Sequence, residues 1–140
     1  MPAFPPPEYN SYTEARTHLK EILDASEGDQ AAKVRRDGIL SVVLSGDRLR
    51  QLLELAHPAH AKSVVVERLW SIYLPGHSIM ADGTSFEDSV VSMIDALREY
   101  AEDWHDHLHA APNHRQAWGL VQLIDLCDDS QLRSWLLEAF

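Results

Sequence analysis

The side chains best equipped for chemistry sit in the last third of the chain. Trp104-His105-Asp106-His107-Leu108-His109, followed by His114, gathers four imidazoles into a short stretch. His105 and His109 are four apart, the helical spacing at which two rings can share one ion. No cysteine or further histidine supplies an obvious third ligand. The stretch also ends a helix, where the dipole favours a cationic ring. No metal is expected. The single cysteine, Cys127, lies in Leu126-Cys127-Asp128-Asp129. Neighbouring carboxylates raise a thiol's pKa and make it a poor nucleophile. One cysteine also excludes an intrachain disulfide and fits a reducing compartment. The sequence has no Gly-x-Ser-x-Gly elbow, phosphate loop or dinucleotide fingerprint. The expectation is a protein that is not an enzyme and takes no cofactor.

The basic side chains are more informative. Residues 1–62 hold 8 Lys and Arg against 9 Asp and Glu, a net of −1. Residues 63–140 hold 4 against 13, a net of −9, which together give the formal charge of −10. An acidic chain repels phosphates, so indiscriminate nucleic-acid binding is disfavoured. Yet Arg16, Lys20, Lys33, Arg35 and Arg36 cluster near the front. That clustering permits a local patch facing DNA, while the acidic remainder suits a basic partner. The plainer reading of the same charges is a set of solvated faces.

Local patterns say what must position these groups. Residues 1–8 form a Pro-rich arm, expected to be extended. A helix is predicted from about Thr13, with Ala15, Leu19, Ile22 and Leu23 on its buried side and Gly28 near its end. Ala31–Arg35 and Ile39–Leu44 flank Asp37-Gly38, a tight-hairpin dipeptide. Ser45 or Asp47 then caps a helix carrying Leu49, Leu52, Leu53 and Leu55 inward. His57-Pro58-Ala59-His60 interrupts the pattern and marks a boundary. Within 63–73, Val, Ile, Trp and Tyr predict strand, Leu74-Pro75-Gly76 breaks it, and His77–Ala81 is a second strand closed by Asp82-Gly83. Thr84-Ser85-Phe86-Glu87 reads as a capping box. Phe86, Val90, Met93, Leu97, Tyr100 and Trp104 then recur at helical spacing to about His109. Asn113 caps a helix over 114–126, and Asp128-Asp129-Ser130 caps a last one through Leu137. The fold class is α+β: a small helix–hairpin–helix domain over 1–57, then a β-hairpin and a mostly helical domain over 58–140.

The ordered run from Tyr12 through Val34-Arg35-Arg36-Asp37-Gly38 to Leu55 resembles the DNA-binding domain of the Phd/YefM (prevent-host-death) antitoxins. That family has a helix ending in Leu-x-x-hydrophobic-Leu, a hairpin carrying Arg-Arg-x-Gly, a strand ending in Ser and a short helix. The resemblance implies a homodimer that grips operator DNA, with Arg16 at the helix position and Arg35 and Arg36 at the hairpin position; Lys33 is a further candidate for DNA contact. Arginine suits this role because its planar fork binds phosphate or guanine bidentately. In this chain Phe4-Pro-Pro-Pro-Glu-Tyr-Asn10 replaces the family's short N-terminal strand, and three prolines cannot donate to a sheet ladder.

Trp70–Gly76, then Ala81–Glu87 and the helix beyond, looks like the HicB antitoxin pattern, departing from it after Glu102 with two further helices. The resemblances imply an antitoxin of a type II toxin–antitoxin pair, with residues 58–140 binding a small basic toxin and residues 1–57 repressing the operon. Trp70, Tyr73, Tyr100 and Trp104 are the expected toxin contacts; the series Trp104, Trp118 and Trp135 reads first as packing of the helical core, with one of them available to anchor a partner. The capped helices predict a preformed domain rather than the family's tail that orders on binding. The alternative is a stand-alone Phd-like regulator without a toxin. No apolar run reaches the ~20 residues of a membrane span, the N-terminus has no secretory pattern, and cytoplasm is the simplest location.

Overall fold

The computed structural model describes residues 6–140. The chain divides into two units, Met1–Leu49 and Arg50–Phe140. Most of the Pro-rich arm therefore lies outside the described residues.

The first unit is built on a three-stranded sheet in the order β1 (Glu8–Tyr9), β2 (Ala32–Arg36), β3 (Ile39–Val43). The hairpin closes at Asp37-Gly38 with φ of 51° and 78°, so both turn residues occupy the left-handed region that a two-residue turn requires. The N-terminal strand expected to be missing is present. Only Glu8 and Tyr9 follow the prolines, but they pair in parallel with Lys33 and Val34. The Pro7 carbonyl accepts from the Lys33 amide at 2.9 Å. Proline lacks a donor, not an acceptor, so it can end a ladder from that side.

The single predicted helix is two, α1 (Tyr12–Thr17) and α2 (Leu19–Glu27), divided at His18 with φ −109° and ψ 26°. Ser11 caps the first, its Oγ accepting from the Glu14 amide at 3.1 Å. The His18 ring stacks on Tyr9 at 5.1 Å between centroids. That break turns Ala15 and Ile22 onto a core with Ala32, Tyr9, Val34 and Val43, and leaves Leu19 and Leu23 exposed. Helical periodicity assumed one continuous axis, which His18 interrupts.

Helix α3 (Gly46–Ala56) contains the point where the chain passes between units. Ser45 caps it, accepting from the Arg48 amide at 3.3 Å. Leu53 is buried, whereas Leu52 and Leu55 are exposed, contrary to the inward face expected for all of them.

The second unit carries three strands rather than a hairpin: β4 (Lys62–Val66), β5 (Leu69–Tyr73) and β6 (Met80–Gly83), antiparallel throughout and in that order. The sequence concealed the β4–β5 turn because Glu67 and Arg68 make it, at φ 52° and 69°, without glycine or asparagine. Asp82-Gly83 is the paired last dipeptide of β6, opposite Ser71 and Trp70, rather than a turn that follows the strand. Gly83 is there because α4 lies against it: a Cβ would stand 2.3 Å from the Ser89 amide nitrogen.

Helix α4 (Phe86–Asp106) packs across β5 and β6. Its cap is Ser85, not Thr84, with Ser85 Oγ accepting from the Asp88 amide at 3.0 Å. Thr84 instead donates to Asp88 Oδ2 at 2.9 Å. The box was one residue out of register, which frees Glu87 to pair with Arg133. Val90, Met93, Leu97 and Ala101 of α4, Ile72 of β5, and Leu120, Val121, Leu123 and Ile124 of α5 (Trp118–Leu126) form the core. Leu132, Trp135 and Leu136 of α6 (Asp129–Leu137) complete it. Each large aliphatic side chain so buried contributes roughly 2 kcal/mol. Asn113 caps nothing; a short 3-10 turn over Arg115–Ala117 leads into α5. Asp128, the first residue of the expected capping run, caps α6, and Gln131 completes a capping box that the sequence reading did not include.

Candidate functional surfaces

Strand alternation decides how the four candidate DNA contacts are displayed. Successive residues of β2 point to opposite faces, so Lys33 and Arg35 share one face and Arg36 takes the other. Arg36 lies over the Tyr12 ring of α1, 5.7 Å from its centroid, and 3.8 Å from Asp37. Arg35 reaches Glu8 Oε1 at 3.2 Å. Arg16 stands exposed in the last turn of α1. All four are exposed and none is buried in the unit's small core. Arg36 thus belongs with the helix side of the hairpin, whereas Lys33 and Arg35 form a pair on the other. Around them Tyr12, Leu19, Leu23, Ile39, Leu40 and Val42 are open to solvent. A unit with a core this small and an apolar surface this large is short of buried area by itself.

In the second unit the four aromatic candidates do not converge. The register places Trp70 opposite Gly83, on the face covered by α4, where it meets Phe86 edge-on at 5.7 Å. Phe86 in turn meets Phe140 at 5.3 Å. Tyr73 lies on the opposite, uncovered face, in the row Lys62–Tyr73–Met80. Val64, Val66, Leu69 and Met80 share that face and are exposed. Tyr100 is half-buried, with its hydroxyl 3.0 Å from His114 Nδ1, and burial raises its pKa. Trp104 is buried, and its indole N–H donates to the His114 carbonyl at 2.9 Å. That satisfied position makes it core, so it is withdrawn as a contact residue. Trp135 is likewise buried and donates to the His57 carbonyl at 2.8 Å, whereas Trp118 is half exposed.

The histidines disperse. His105 Nε2 lies 2.6 Å from Asp125 Oδ2, His107 pairs with Asp106, and His109 sits in a 3-10 turn past the end of α4. The helical spacing that would have joined His105 to His109 is therefore lost. Three other imidazoles, His57, His60 and His77, line a cavity of about 260 Å³ with Leu74, Leu120 and Trp135. Burial, reinforced by the nearby His57, lowers the His77 pKa. Burial also pushes the Cys127 thiol up to about 11, with Glu54 adding to the shift.

Sequence reasoning did not single out Val91, which is half exposed on α4. Nor did it single out the apolar outer face of β4–β6. The signal for that face was the run Val64-Val65-Val66, where no alternation with polar residues separates an inner from an outer side.

No family model matches the chain, and no curated protein matches it. The fold is similar to a crystal structure from Syntrophomonas wolfei subsp. wolfei, described as the antitoxin part of a candidate toxin/antitoxin system. The two are 18% identical, the match covers 91% of this chain and 94% of that one, and the TM-score is 0.77. At that identity the likeness is one of fold. Among the described residues, no helix is long and apolar enough to cross a membrane.

Proposed function

We propose that this protein is the antitoxin of a type II toxin–antitoxin pair, with a Phd/YefM-like first unit. The carrying observation is the fold shared over nine-tenths of both chains with a protein described as an antitoxin. The separation of charge supports it, since the acidic excess lies in residues 63–140. In this reading the first unit dimerises through its open apolar side chains and binds operator DNA with Arg16, Lys33, Arg35 and Arg36. The second unit captures a small basic toxin and blocks it by occlusion, with no chemistry of its own. Long-range charge steers that encounter and apolar contact holds it. Tyr73 on the open sheet face and the half-buried Trp70 and Tyr100 are the proposed aromatic contacts. The protein works in the cytoplasm, beside its operon.

The test is co-expression. The product of the co-transcribed neighbouring gene is expected to arrest growth alone and to be silenced by this chain, with which it co-purifies. A harmless neighbour that ignores the chain, combined with intact operator binding, favours the second reading, a stand-alone regulator.

A further inference from the structure

Helices α4 and α6 enclose a groove of about 310 Å³ whose floor is Val91 and Ile94. Two ion pairs between the helices close its ends. At one, Glu87 pairs with Arg133; at the other, Arg98 Nη2 meets Asp129 Oδ1 at 2.9 Å. Asp95 lines the groove between them, with no ion pair or hydrogen bond of its side chain to any described residue.

Three facts distinguish this groove from ordinary surface. Val91 is the one large apolar side chain of α4 that is markedly exposed, at 53%. It interrupts a solvent-facing line of carboxylates, Asp88, Asp95, Glu99 and Glu102, at helical spacings of three and four. Asp95, Glu99 and Glu102 span about 10 Å along the axis, and none is neutralised by a described residue. Like charges one turn apart destabilise a helix slightly, a cost that a cationic occupant would remove. The cavity's volume accepts one bulky aliphatic or aromatic side chain rather than a whole helix.

We infer that this groove is a docking site for a cationic helix of the partner protein. One bulky apolar side chain enters over Val91 and Ile94, and Lys or Arg residues one and two turns away pair with Asp95, Glu99 and Glu102. The inference rests on the antitoxin reading and names the part of the toxin that is recognised. The bracketing ion pairs act as a rim that fixes where the apolar side chain can sit.

The experiment titrates the purified full chain with the purified product of the co-transcribed neighbouring gene, by calorimetry at low and moderate salt. Val91→Arg and Asp95→Lys are expected to weaken binding at least tenfold, while Glu138→Lys, an equal charge change elsewhere, alters it less than twofold. Asp95→Asn should flatten the salt dependence. Circular dichroism and the thermal midpoint check that the exposed substitutions leave the fold intact. Wild-type binding that both groove variants preserve, or that Glu138→Lys weakens equally, overturns the groove alone. Absence of wild-type binding overturns the groove and the antitoxin reading together.

Discussion

At the scale of single residues, the structure separates groups that neighbour one another in sequence. Arg35 and Arg36 emerge on opposite faces of one strand, so in the proposed reading a double replacement by alanine removes two separate cationic contacts. Operator binding should weaken, and its logarithmic salt slope should shrink by about 0.9 for each phosphate that is no longer neutralised. Gel shifts across a salt series check this, and an unaltered slope would remove the arginines from the interface. Gly83→Ala tests the fold at one atom. The added methyl meets backbone of α4 at 2.3 Å, not a side chain that can swing away. A loss of about 3 kcal/mol is expected in chemical denaturation. The two titrating groups give opposite predictions. Cys127 stays a thiol at pH 8 and should resist thiol reagents until the protein unfolds. His77 has a folded pKa below its unfolded value of about 6.5, so its contribution to stability is full above that value. It is lost as pH falls through the folded pKa, and His77→Gln should flatten that acid limb in thermal melts.

At the scale of elements, the helix caps and Arg98 decide how the second unit coheres. Ser85→Ala should cost about 1 kcal/mol and Thr84→Ala less, because only the serine accepts from a helix amide. Equal costs would return the cap to Thr84. Arg98 donates to the Ile124 carbonyl at 2.6 Å, the Cys127 carbonyl at 2.8 Å and Asp129. One guanidinium thus satisfies the end of α5 and holds the start of α6. Lysine cannot reproduce that fork, so Arg98→Lys should destabilise by about 2 kcal/mol. Those partners lie 26 to 31 residues away in the chain, beyond any local pattern, and the sequence could not announce them. The legible elements were those with local chemistry: the Asp37-Gly38 turn, the cap at Asp128 and the apolar side of α4. The Glu67-Arg68 turn and the break at His18 were hidden because neither uses the residues that normally mark such points. The candidate site was legible as basic side chains on a hairpin, but not as an apolar groove, since Val91 alone looks like any helical valine.

At the scale of the whole molecule, the reading divides labour between two units with different means. A chain ending after Pro58 should retain operator binding and lose the rescue of growth; full rescue by that fragment would end the division. The free margins of the two sheets bear on how the protein behaves without company. Strand β3 exposes Ile39, Leu40 and Val42, and β4 exposes Val64, Val65 and Val66, so both pleat directions are bare along each margin. Neither strand contains the proline or bulge that discourages lateral annealing, and Lys62 is the one charge in the two. An unpaired apolar margin is where another strand can anneal. With β3 spent on the proposed dimer, β4 is the margin expected to limit how far the chain without its partner can be concentrated, which light scattering across a dilution series checks.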